Sequence, residues 1–133
     1  MMAEPSFRFV CVSTALARAP SDWAREMLRE GEIALLADGG GLGAINEVAH
    51  MLGLASVPVV RGEDSASAQE ATVIAHADGL PLVWIAAAFS ESATAWARDR
   101  GPMTLLVTAD APLSDEERRR IGRFVAMLGR QSE

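Results

Sequence analysis

The chain has 133 residues, half of them apolar and 23% charged, with a net charge of −6 and a pI near 4.9. That is long and apolar enough for one domain with a real core, and it excludes both a disordered chain and a nucleic-acid binder working through a broad basic surface. All twelve basic residues are arginine, so a Schiff base, a P-loop lysine and a lysine-dependent nuclease site are excluded too.

MMAEPSFRFV at the start has no basic segment followed by a long apolar one, so no secretory leader is expected. RFVCVSTA (8–15) is β-branched and apolar and reads as a strand. Cys11 within it reads as a small core residue; a single cysteine excludes a disulfide framework and points to a cytoplasmic location. SDWAREMLREG (21–31) reads as a helix with Ser21 as N-cap and Gly31 past its end. EIALLAD (32–38) is a strand and runs into three glycines. GAINEVAHMLG (43–53) sets Ile45, Val48, Ala49 and Leu52 on one helical stripe. ASVPVVRG (55–62) is a strand.

SASAQEATVIAHADG (65–79) reads as a helix with Ser67 and Glu70 at capping-box spacing. The alternative is a hairpin over 68–87 on the Asp78-Gly79 pair, and the regular alternation elsewhere favours the helix. LPLVWIAAAF (80–89) is a strand, SESATAWARDRG (90–101) a helix and PMTLLVTAD (102–110) a strand. SDEERRRIGRFVAMLGRQ (114–131) closes the chain as a helix, with a capping box at Ser114 and Glu117. Its stripe is Ile121, Phe124, Val125 and Leu128; Asp115–Arg119 and Glu116–Arg120 are favourable i, i+4 pairs, so the arginine run reads as a solvated face. No apolar run is long enough to cross a bilayer, so no membrane partner is expected.

Five successive β-α units with near-continuous apolar strands predict a parallel sheet covered on both faces. The expectation is a single three-layer αβα domain over 1–133, with a mostly parallel five-stranded sheet of Rossmann-like or flavodoxin-like type.

The candidate site is the turn from the second strand into the second helix, Asp38-Gly39-Gly40-Gly41-Leu42-Gly43-Ala44. Helix-start amides lack internal partners and face a favourable dipole, and glycine lets a phosphate approach the backbone. From Gly40 the pattern is Gly-Gly-x-Gly-Ala-x-x-Glu, ending at Glu47, and SVPVV follows the helix. This segment, with its flanks over 21–62, resembles the Lonely Guy phosphoribohydrolases and their DprA-like, nucleotide-sensing Rossmannoid relatives. Their pattern is Gly-Gly-x-Gly-Thr-x-x-Glu; Ala44 stands here in place of the threonine. The resemblance implies that Gly40, Gly41 and Gly43 cradle a nucleoside 5′-phosphate. It further implies that Glu47 faces the ribose and takes part in cleaving the N-glycosidic bond, with Arg25 as the assisting arginine.

Gly39-x-Gly41-x-x-Ala44 also satisfies the loose dinucleotide fingerprint, with Arg61 or Glu63 near the position of a ribose or 2′-phosphate partner. Asp38 and Asp110 both follow strands and are ordinary turn aspartates. Glu47 and His50 share a helix face, but two histidines and one cysteine do not make a zinc site. No metal and no resident cofactor is expected. The competing reading is a non-catalytic regulatory or interaction domain, with a purely structural glycine turn. In that reading Trp23, Trp84 and Trp96 would serve a contact with a partner or a second copy in a homodimer.

Overall fold

The computed structural model describes residues 7–16, 20–27, 29, 31–36, 41–54, 57–60, 65–77, 79–109 and 112–131. Its strands are β1 (Phe7–Val12), β2 (Gly31–Leu36), β3 (Val59–Val60), β4 (Leu82–Ala86) and β5 (Thr104–Thr108). Its helices are α1 (Ser21–Met27), α2 (Gly41–Leu52), α3 (Ala66–Ala77), α4 (Glu91–Arg100) and α5 (Asp115–Gln131). All strand pairs are parallel, and the sheet order is β3-β2-β1-β4-β5. This is the Rossmann order of the two expected types.

The strands alternate strictly between two cores. Phe7, Phe9, Cys11, Ile33, Leu35, Val83, Ile85 and Val107 point to one face, where they meet Val48 and Ala49 of α2 and Ile121, Phe124 and Leu128 of α5. Val10, Ala34, Leu36, Leu82 and Trp84 point to the other, against Val73 and Ala77 of α3 and Ala93 of α4. Period-two side chains on a sheet covered twice are what apolar strands predict. Trp84 is a core residue, 2% exposed. Phe89 lies edge-on to it at 5.1 Å and Trp96 at 6.4 Å, while Trp23 is partly buried against the other core.

Ala66–Ala77 is helix, and a parallel β4 removes the hairpin alternative. Four local expectations are corrected. The first strand ends at Val12 and passes into a 3-10 turn, Ser13–Leu16. Gly31 does not cap α1; it is the first residue of β2, paired with Phe7, and a Cβ on it would stand 2.4 Å from the Phe7 ring. In the third strand, expected over 55–62, the described part is Val59–Val60, with Val57 and Pro58 outside it because Pro58 has no N–H to give, although its carbonyl accepts from Leu35 at 2.9 Å; residues 55, 56, 61 and 62 lie outside the described residues. The cap of α3 is Ser65, whose Oγ accepts from the Ala68 amide at 3.1 Å. Ser67 and Glu70 form no box, and Glu70 turns to α4 instead.

The capping box of α5 is present in both directions: Ser114 N–H donates to Glu117 at 2.9 Å and Glu117 N–H to Ser114 Oγ at 3.1 Å. Asp115 pairs with Arg118, one residue short of the expected partner, because Arg118 also reaches back to the Leu113 carbonyl at 3.1 Å.

Candidate functional site

In a parallel sheet every strand ends at the same edge, and the following helix begins there. Ligands of such sheets sit at this carboxyl edge, above all where neighbouring strands send their connections to opposite faces. Here β1 leads to the α1 side and the adjacent β4 to α4 on the opposite side. The glycine turn follows β2, the immediate neighbour of β1, about one strand spacing of 5 Å away.

Asp38, Gly39, Gly40 and Arg61 lie outside the described residues, as does Asp110. The structure places Gly41 as the first residue of α2, so the amides of the glycine motif enter the helix as its first turn. Ala44 lies in that same helix. Gly43 is exposed and helical, and a Cβ built on it would meet nothing within 4 Å. Neither packing nor a left-handed backbone requires glycine there. In a helix interior glycine costs about 1 kcal/mol against alanine.

Glu47 is exposed and follows Gly43 by one turn, about 6 Å along the axis on the same face. Asn46 and His50 complete that exposed face, opposite the buried Val48 and Ala49. Arg25 is held elsewhere. Its Nε donates to the Met51 carbonyl at 2.9 Å, at the far end of α2, about 12 Å along the axis from Gly43. There the helix closes with a Schellman pattern: Leu54 N–H donates to Ala49 O at 2.9 Å and Gly53 N–H to His50 O at 3.1 Å, with Gly53 at φ 70°. Arg25 takes the Met51 carbonyl, a cation at the negative end of the dipole. The structure thus brings Glu47 to the glycine-motif face and leaves Arg25 as a cap of the opposite end.

The other helix starts with a described cap are satisfied from within. Ser65 caps α3, and Ser114 with Glu117 caps α5. Ser90 caps α4 by accepting from Ala93 N–H at 3.1 Å. Glu70 of α3 then accepts from Ser90 N–H at 2.9 Å and from its Oγ at 2.5 Å. A carboxylate of the protein therefore occupies the start of α4. At the start of α2 the described residues are Gly41, Leu42 and Gly43, none with a side-chain acceptor; Asp38 of the same motif lies outside the described residues.

A second polar cluster lies at the opposite, amino edge of the sheet. Arg8 of β1 donates through one terminal nitrogen to the His76 carbonyl, and the same nitrogen is 3.4 Å from His76 Nδ1. Glu32 of β2 stands 4.0 Å from Arg8 Nε. Arg100 of α4 lies over the Trp96 ring at 4.6 Å and donates to the Leu80 carbonyl. Burial, with the Arg8 cation adding to it and Glu32 opposing, lowers the pKa of His76 from its usual 6.5. Sequence reading left His76 isolated because its partners are 68 and 44 residues away; the only signal was a charged Arg8 and Glu32 at inward positions of apolar strands.

Among the described residues no cluster of three or more histidine, cysteine or acidic side chains is placed to hold a metal ion, and no helix is long and apolar enough to cross a membrane. No family model, curated protein or solved structure matches the chain.

Proposed function

We propose that the protein binds a nucleotide or nucleoside phosphate at the glycine turn 39–43, with the phosphate on the first-turn amides of α2 and the ribose toward Glu47. The observation that carries this reading is Gly43: an exposed helical glycine with open space at its Cβ among the described residues, which leaves the backbone there open to approach from outside. The helix start supplies the anion's complement in amides and dipole. Glu47 sits one turn along on the same exposed face, within the span of a ribose 5-phosphate.

The resemblance to the Lonely Guy phosphoribohydrolases suggests N-glycosidic hydrolysis as the activity. Water would add to the anomeric carbon as the carbon–nitrogen bond breaks, and the base would leave with a proton. Glu47 is the carboxylate placed to stabilise the developing positive charge and to take the proton from water. Titration with AMP, followed by thermal unfolding, tests the binding: a rise in Tm at millimolar AMP that Gly41→Val abolishes supports it, and no rise overturns it. Release of ribose 5-phosphate, lost in Glu47→Ala, tests the hydrolysis separately.

One observation favours a second reading, a non-catalytic interaction domain. Val59 on the edge strand β3 and Leu54 beyond α2 are exposed at 47% and 45%. Light scattering decides this point: a concentration-independent dimer that Val59→Glu dissociates supports the interface, and a monomer removes it.

A further inference from the structure

We propose that α3 is a proton-sensitive element, latched at the amino edge of the sheet by the contact of His76 with Arg8 and released when His76 takes up a proton. No ligand at the glycine turn is involved. Of the twelve residues of α3, Val73 and Ala77 are buried side chains, and Ile74 packs beside them in part. Polar contacts hold the helix as well, among them a clasp near each end. Near its start Glu70 grips the N–H and hydroxyl of Ser90 on α4. At its end Arg8 of β1 donates to the backbone carbonyl of His76 and lies against its ring.

The hydrogen-bond chemistry fixes the protonation that the latch needs. Arg8 has only donors, so the ring nitrogen facing it, Nδ1, must be the acceptor of a neutral imidazole. The proton then sits on Nε2, which is buried and has no acceptor among the described residues. A second proton would place an N–H against the Arg8 guanidinium at 3.4 Å. Donor would face donor and cation would face cation, while the Nε2 N–H would stay unpaired. Among the described residues the charged groups by this end of α3 are Arg8 of β1, Glu32 of β2 and Arg100 of α4, which donates to the Leu80 carbonyl. Glu32 is 4.0 Å from Arg8 and opposes the effect only in part, since burial and Arg8 together outweigh it. Rotation of the charged ring into water relieves the conflict, at the expense of the clasp on α3. Because α3 also carries Glu70, loosening its end weakens the hold on Ser90 at the carboxyl edge, six residues and about 9 Å along the helix.

Amide hydrogen exchange on the full chain at about pH 7.5 and about pH 5.5, corrected for intrinsic rates, tests this. The opening constant of the α3 amides rises roughly three- to tenfold at the lower pH, the α5 amides rise less, and His76→Gln abolishes the pH dependence in α3. A second readout covers the case in which the variant folds poorly. The chain has two histidines, and the ring signals of His76 followed by NMR in the folded and in the urea-unfolded chain give a midpoint for each state. A His76 midpoint lower in the folded protein than in the unfolded chain, at the pH where α3 loosens, supports the latch. Equal midpoints in the two states, an α3 opening constant unchanged within about twofold, or an undiminished rise in His76→Gln each overturn it.

Discussion

Gly43 is the residue at which stability and the proposed binding part company. Alanine fits the helix without a clash, so Gly43→Ala is expected to stabilise the fold by about 0.5–1 kcal/mol in urea denaturation while weakening AMP binding at least about tenfold, the effect of misplacing one phosphate contact. Gly31 behaves oppositely. Its missing Cβ is filled by the buried Phe7 ring, so Gly31→Ala is expected to cost about 1–3 kcal/mol through overpacking, read as a lower Tm with no change in ligand affinity per folded molecule. The sequence reading placed Gly31 at a helix end because a glycine after an amphipathic segment has that meaning locally. The Phe7 ring that decides the matter comes from a strand 24 residues earlier, and only pairing brings it there. His76 sets a pH dependence at the same scale. Its pKa in the folded protein lies below 6.5, so the unfolded chain binds the proton more readily. The stabilisation is complete above 6.5 and is lost as pH falls from there toward the folded value. Urea midpoints that decline below about pH 6.5 more steeply in the native protein than in His76→Gln are the expected result.

At the level of elements, the caps divide into those visible in the sequence and those that are not. Ser114 and Glu117 are three apart, and the box between them is as spaced; Ser114→Ala is expected to cost about 1 kcal/mol in chemical denaturation. Ser67 and Glu70 have the same spacing, yet Ser65 caps the helix and Glu70 bonds Ser90, 20 residues on. A local pattern cannot rank a cap against a tertiary acceptor that only the packed α3 and α4 supply. Arg25 belongs to the same class. Placed by resemblance near a phosphate, it instead closes α2 at Met51. Arg25→Met is therefore expected to lower stability by about 0.5–1 kcal/mol through loss of the C-terminal cap and to leave AMP affinity unchanged. Calorimetric unfolding and binding on the same variant separate the two roles.

For the whole molecule, the layered architecture was legible because strands buried on both faces must be apolar throughout and amphipathic helices must cover them. Sheet order was not legible, since order is set by which crossovers return over the sheet and leaves no periodicity in the chain. The order β3-β2-β1-β4-β5 places the glycine turn beside β1, on the edge where ligands of such sheets gather. It also sends α3 and α4 to one face, where Arg8 meets His76 at the amino edge and Glu70 meets Ser90 at the carboxyl edge across long sequence separations. If the start of α2 receives a phosphate from outside the protein, as proposed, isothermal titration of AMP into the native protein and into Gly43→Ala shows it. Saturable one-site binding to the native chain is expected, with loss of affinity in a variant that unfolds at a higher temperature. Absence of binding to the native chain, or equal affinity in the two proteins, overturns the proposal.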